Sequence, residues 1–321
     1  MKKITTDILK AIEHAETILV CGHTRPDGDC VSSALAMRRI CEKLGKKADA
    51  VCDADKPISY AFLPDYENFC APRFDKYDLF IAVDCATDKR LGEYFRVMQE
   101  AGNVVNIDHH PTNNLYGKIN YIDPAASSTC AILYDLFSAQ NGLIDRDVAT
   151  MLYTGLSTDT GHFMHSNTTA KVFEIAMKLS ELGVDIVNVN QALYCNKPFS
   201  KLKLAAKAIN AIKLYEDGKI ALMTIDQADL AECGCGSDDT EGLIDYASSI
   251  SGVCISIAMC EQKGGFFRVS FRSSEADVAA AAGQFGGGGH KLAAGCIVNG
   301  NRYDVMEKLI AAAKSAIDKI S

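Results

Sequence analysis

The first 185 residues alternate between short, continuously apolar runs and longer stretches with helical spacing. Thr17–Cys21 (TILVC), Leu79–Val83 (LFIAV) and Asn103–Ile107 (NVVNI) have the length and composition of strands buried on both faces. Apolar positions recurring every three or four residues predict helices over Cys30–Leu44, Ser127–Gln140, Asp145–Leu156 and Thr168–Leu182, the first closed by Gly45 and the last by Gly183. Strands alternating with helices predict a parallel sheet with helices on both faces. Residues 186–212 are helical in pattern and basic (Lys197, Lys201, Lys203, Lys207), which predicts a helical linker. Beyond it, Lys219–Thr224, Val253–Cys260 and Phe266–Arg272 read as strands and Ala276–Ala282 as a helix. A glycine run comes next, and a last helix starts at Tyr303. The expected architecture is α/β in two domains: an N-terminal domain over 1–185, the linker over 186–212, and a smaller C-terminal α/β domain over 213–321. No internal repeat is visible.

Composition narrows the function classes. A chain of 321 residues, 48% hydrophobic, can build two cores. Its apolar runs fall short of the roughly 20 residues of a membrane span. Asp7, Glu13 and His14 interrupt the N-terminal stretch where a secretory segment would be apolar. A cytoplasmic protein with no membrane partner is expected. The thirteen cysteines are odd in number and scattered, many in apolar surroundings (Cys21, Cys130, Cys254, Cys260), so free thiols are expected. Cys233 and Cys235 form C-x-C, not a zinc-knuckle spacing, and read as loop residues. The net charge of −8 argues against gripping duplex DNA, which calls for a basic surface. An anionic substrate would then be short and held by a local cluster or by metal.

Acids and histidines gather where strands end. His23, Asp27 and Asp29 come after the first strand, Asp84 after the second, and Asp108, His109 and His110 after the third. Asp159 lies in Ser157–Gly161 (STDTG), after a buried helical run. Open parallel sheets bind ligands at the carboxyl ends of their strands. Converging carboxylates repel one another unless cations lie between them. Carboxylate mixed with imidazole suits Mn²⁺, Fe²⁺ or Zn²⁺ more than Ca²⁺. Two metals roughly 3.5–4 Å apart would relieve the repulsion, clamp a phosphate ester and activate a water. Taken singly, Asp29 or Asp84 would more simply cap the next helix, and Asp-His-His would be a solvated turn before Pro111. Their joint occurrence favours a site. His14 and His165 lack such context, and His162 is more readily packed than in contact with substrate.

In the C-terminal half, Gly286–Gly289 can present backbone N–H groups to an anion, with His290 and Lys291 directly after. Arg268, Ser270 and Arg272 alternate along one strand and share a face, which makes a fork for phosphate. The simpler readings are a flexible turn and a solvated strand face.

These motifs carry a resemblance. G-H-T-R-P-D-G-D-C-V-S-S, the strand-end Asp84, N-I-D-H-H-P-T-N, S-T-D-T-G-H-F and the run ending at His290 resemble, in order, the motifs of DHH phosphoesterases with a DHH-associated second domain. The similarity spans nearly the whole chain and is greatest to the stand-alone oligoribonuclease/3′-phosphoadenosine 5′-phosphate phosphatase branch. It implies a first metal on His23, Asp27 and Asp84, and a second on Asp29, Asp84, His109 and Asp159, with Asp84 bridging. It implies Mn²⁺ as the metal, His110 as the non-ligand imidazole at the scissile phosphate, and Asp108 as its support from behind. It also implies that Arg268, Ser270, Arg272, Gly287, Gly288, Gly289 and His290 hold the terminal phosphate and nucleobase end of a short RNA oligonucleotide or adenine nucleotide. Relatives often pair, so a homodimer is compatible with it. Ser32 and His162 depart from the common pattern, and the second bears on substrate preference. Competing readings are a cyclic di-AMP phosphodiesterase, a manganese-dependent inorganic pyrophosphatase and a non-catalytic nucleotide-binding protein. A pyrophosphatase carries a different second domain, without the glycine run. A processive single-strand exonuclease is disfavoured by the negative charge and the absence of Trp.

Overall fold

This computed structural model describes residues 2–53 and 56–320. The chain forms two compact units that divide between Asn196 and Lys197.

The first unit runs α1 (Lys2–His14), β1 (Thr17–Cys21), α2 (Gly28–Lys43), β2 (Lys47–Val51), β3 (Leu79–Val83), α3 (Tyr94–Glu100), β4 (Asn103–Asp108), β5 (Ile119–Ile122), α4 (Thr129–Phe137), α5 (Arg146–Asp159), α6 (Ala170–Glu181) and α7 (Ile186–Asn190). All five strands are parallel, in the order β2-β1-β3-β4-β5. The order reverses between β1 and β3, so the crevice at their carboxyl ends is the topological switch point. Side chains alternate across the sheet. Ile18, Val20, Ile81, Val83, Val105 and Ile107 join the core formed with α1, α2, α4 and α5. Leu19, Cys21, Phe80, Ala82 and Val104 pack the opposite face, with Leu91 and, from α3, Met98. The parallel sheet covered on both faces is therefore as the apolar pattern predicts.

Two strands escape that pattern. β2 reads KADAV, and its buried Asp49 is held by the Tyr77 hydroxyl at 2.7 Å and by Arg73. β5 is a half-buried edge strand. Helix ends shift by up to three residues, and one shift matters: α5 continues to Asp159, which lies in its last turn and not beyond it.

The second unit runs α8 (Phe199–Asn210), β6 (Lys213–Tyr215), β7 (Ile220–Ile225), α9 (Gln227–Cys233), α10 (Ile244–Ser248), β8 (Ile255–Gln262), β9 (Phe266–Ser273), α11 (Val278–Gly283), β10 (Gly288–His290), β11 (Ala293–Asn299) and α12 (Arg302–Ile317). Its six strands lie in the order β10-β11-β9-β8-β7-β6, with β7 and β8 parallel and the other neighbours antiparallel. α11 and α12 cover one face, and α8, α9 and α10 cover the other. The stretch 186–212 is thus shared. α7 lies in the first unit, while α8 lends Leu204, Ala205 and Ala208 to a core of the second. Cys233 ends a helix and does not lie in a loop. Among the described residues the thirteen cysteines are thiols, with no disulfide between them. Among the described residues, no helix is long and apolar enough to cross a membrane.

Candidate active site

β1, β3 and β4 are adjacent, so the loops leaving their carboxyl ends meet at one edge. Chain reversal after β3 puts Asp84 in the left-handed region (φ 53°), which Asp tolerates better than most residues, and its amide is pinned to Ile107 O at 3.0 Å. Its carboxylate is buried between two imidazoles. Oδ2 lies 3.5 Å from His23 Nε2, and Oδ1 lies 3.5 Å from His109 Nε2. His109 Nε2 is also 3.4 Å from Asp159 Oδ2, and His23 Nε2 is 3.9 Å from Asp27 Oδ2. Asp27 has a double use: it caps α2 by accepting from Cys30 N at 3.0 Å.

Asp29 does not cap its own helix. It turns its carboxylate to the first turn of α4, accepting from Thr129 N at 2.6 Å and Cys130 N at 3.0 Å, where helix amides favour negative charge. Thr129 Oγ1 donates to Asp84 Oδ1 at 3.1 Å, so one buried residue holds both carboxylates. Asp108 stands behind. It accepts from His110 Nδ1 (2.7 Å), His109 N (2.9 Å) and Asn113 Nδ2 (2.6 Å).

The electrostatics are those of crowded carboxylates. Burial and the Asp84 charge push the Asp29 carboxyl well up. Burial and the charges of Asp29 and Asp27 do the same to Asp159. Asp84 is itself opposed by burial, yet the hydrogen bond from His23 and the charges of the three histidines outweigh it and hold the group well below the carboxylate range. Burial works against protonation of His110, but Asp108 and Asp84 prevail and raise it to about 9. Ligand atoms of Asp29, Asp84 and His109 lie within 4.8 Å of one another, as do those of His23, Cys30 and Asp84. Two donor groups sharing Asp84, made mainly of hard oxygen and imidazole nitrogen, fit divalent first-row metals. Burial keeps the Cys30 thiol protonated, and its sulfur accepts from His23 N at 3.2 Å.

The structure thus gathers His23, Asp27, Asp29, Asp84, Asp108, His109, His110 and Asp159. Thr129, Asn113 and Arg90 join them without having been singled out by sequence. Gly28 and Gly155 do so too. A Cβ on Gly155 would lie 2.3 Å from Cys130 Sγ and 2.6 Å from Asp29 Oδ1, and one on Gly28 would meet Thr158 at 2.4 Å. Ala at position 155 would gain about 1 kcal/mol in helix propensity, against overpacking of about 1–3 kcal/mol. Gly155→Ala is expected to lower stability by up to about 2 kcal/mol and to weaken metal binding by displacing Asp29. A melt and a metal titration check this, and an unchanged metal affinity would contradict it.

Arg268, Ser270 and Arg272 lie on one face of β9, opposite the buried Phe267, Val269 and Phe271. Arg268 is already engaged, donating to Ser237 O at 2.7 Å and to Thr240 Oγ1. Arg272 donates to Phe271 O at 3.0 Å. The glycine run has a local cause. A Cβ on Gly287 would sit 2.2 Å from Gly295 O, and Gly289 (φ 146°) closely approaches Ala293 O. The amides of Gly286 and Gly287 donate to Gly283 O and Ala282 O, so that row of donors is partly occupied. His290 ends β10 opposite Ala293.

A parallel sheet that collects buried carboxylates and imidazoles at its switch point defines a metal-dependent hydrolase of phosphoester bonds. Residues 17–156 match the N-terminal domain of the DHH family, and residues 217–319 match the DHHA1 domain. The chain belongs to the DHH family. It is 31% identical over 324 residues to the bifunctional oligoribonuclease and PAP phosphatase NrnA of Thermus thermophilus, covering 99% of this chain and 94% of that one. It is 26% identical over 314 residues to the Bacillus subtilis protein of the same name, covering 95% and 96%. The crystal structure of an exopolyphosphatase-related protein from Bacteroides fragilis shares the fold, with a TM-score of 0.90 at 24% identity, covering 99% of this chain and 96% of that one.

Proposed function

We propose that the protein hydrolyses terminal phosphoester bonds of short oligoribonucleotides, pApA-like dinucleotides and 3′-phosphoadenosine 5′-phosphate, with Mn²⁺ as its metal. The observation that carries the reading is the placement of Asp84, one carboxylate oxygen on each side facing a different imidazole. Near-full-length similarity to two enzymes named for oligoribonuclease and PAP phosphatase activity supports the substrate class. The DHHA1 match favours it over pyrophosphate.

In this reading His23, Asp27 and Asp84 would hold one cation, and Asp29, Asp84, His109 and Asp159 the other. When bound, the pair supplies an acidified water and neutralises phosphate charge. The chain's own groups do the rest. Asp108, fixed by Asn113 and by the His109 amide, accepts from Nδ1–H of His110 and with Asp84 keeps that ring protonated, so that Nε2–H can donate to a phosphate oxygen. Thr129 keeps Asp84 and Asp29 from turning away. In the second unit, Ser270, Arg272 and the segment Gly287–His290 are assigned to binding of substrate phosphate and nucleobase. Arg268 belongs to the same strand face but braces the loop at Ser237 and Thr240.

The test is kcat/KM with Mn²⁺ for pApA, 3′-phosphoadenosine 5′-phosphate, cyclic di-AMP and pyrophosphate. The linear adenine nucleotides should lead, and a lead by pyrophosphate or cyclic di-AMP would replace this reading with a rival one. In the same assay, Arg272→Ala is expected to raise KM for pApA roughly 10- to 100-fold, the worth of a charge-assisted hydrogen bond. Bound metal should stay at the wild-type level. An unchanged KM would remove Arg272 from the substrate site.

A further inference from the structure

A cation stands inside the acid cluster. Arg90 lies on the 3-10 turn Asp88–Leu91, between β3 and α3. Its backbone ties it to the loop carrying His23: Thr24 N donates to Arg90 O at 2.7 Å, and Arg90 N donates to Thr87 O at 2.9 Å. Its part-buried guanidinium reaches His23 Nδ1 at 3.0 Å. Among the described residues no carboxylate pairs with it, because Asp27, Asp84 and Asp108 are turned to His23, His109 and His110 instead.

The contact with His23 cannot persist in the form shown once that ring serves a metal. Nδ1 has two neighbours, Arg90 Nη2 and Thr24 O, the latter at 2.8 Å. A ring nitrogen can accept from the first or donate to the second, but it cannot do both. If Nε2 presents its lone pair to a cation, the proton sits on Nδ1 and goes to Thr24 O, as ligand histidines usually give their second N–H to a carbonyl. Nδ1–H and the guanidinium then face each other as two donors. Arg90 is left with a full charge, an anchored backbone and no acceptor. The His23 ring that it touches and the His110 ring both lie against Asp84, 3.5 and 3.6 Å from its two carboxylate oxygens, so the guanidinium stands one residue away from the group that also meets the imidazole assigned to the scissile phosphate.

We propose that Arg90 grips the phosphoryl group of the substrate, its planar fork taking phosphate oxygens beside His110. This rests on the reading of the site as a nucleotide phosphoesterase. It adds to the catalytic unit a phosphate-binding residue separate from those of β9 and the glycine run.

The test uses the full chain loaded with Mn²⁺, as wild type, Arg90→Gln and Arg90→Lys. Calorimetry measures binding of AMP and of inorganic phosphate, bound Mn²⁺ is counted per chain, and pApA turnover is measured alongside. Arg90→Gln is expected to weaken both anions about 10- to 100-fold and to raise KM for pApA by a similar factor. Arg90→Lys should recover part of the loss, and Mn²⁺ content should not change. Unchanged affinity for phosphate in Arg90→Gln overturns the proposal. So does a loss of Mn²⁺ whose correction with excess metal restores full phosphate binding, since Arg90 would then only prop His23. A wild type that binds phosphate without cleaving pApA would end the nucleotide reading, and the phosphate titration would still judge Arg90.

Discussion

Asp84→Asn is expected to lower turnover by on the order of 10³-fold or more, because the loss strikes a group acting on both halves of the site at once. The replacement keeps the size and planarity of the side chain, and the amide at residue 84 still reaches Ile107 O. What disappears is the charge between His23 and His109, each 3.5 Å from a different oxygen of the carboxylate. No neighbour can substitute. Asp29 is committed to the first turn of α4, and Asp108 to His110 and Asn113. Turnover should be measured together with bound metal per chain, and both should fall. Near-normal turnover, or full metal content, would show that Asp84 is not shared between two cations.

Removal of divalent metal by a chelator should abolish turnover and lower the melting temperature. Asp29 and Asp84 are buried, with the half-buried Asp159 near them, and burial with neighbouring carboxylate charge pushes both Asp29 and Asp159 up, so a cation among them would relieve the strain. A ligand held at about 100 times its Kd adds about 2.7 kcal/mol to the folded state, or about 5–10 °C for a domain of this size. Differential scanning calorimetry before and after chelation, then after adding Mn²⁺ back, measures it. Identical melting curves with undiminished turnover would rule out a resident metal.

Much of this is legible in the amino-acid sequence. Strands buried on both faces are written as unbroken apolar runs, so β1, β3 and β4 stand out, and the acids behind them are exposed as a set. β2 and β5 do not, because KADAV places a buried Asp where an apolar residue would signal a strand, and INYI is an edge strand that needs only half an apolar face. The ligand-like residues announce themselves by type and position. Their supports do not. Thr129 opens a helix and looks like any first-turn residue until α4 is seen to point at Asp29. Asn113 and Arg90 come from loops whose paths depend on strand order. In the second unit the alternation of Arg268, Ser270 and Arg272 correctly reads as one strand face, while the engagement of Arg268 by Ser237 and Thr240 depends on a loop about thirty residues away. Gly286–Gly289 looks like an anion cradle, and its glycines also answer to the backbone of β11.

The seam between α2 and α5 has a consequence for how this enzyme can be altered. Asp29 rides on one helix and Asp159 on the other, and the gauge between them is set where Gly28 and Gly155 let the two rods touch. A hunt for variants with new cation preference that is confined to acids and histidines would pass over both positions, although a single methyl group at either would reset the spacing between those two carboxylates.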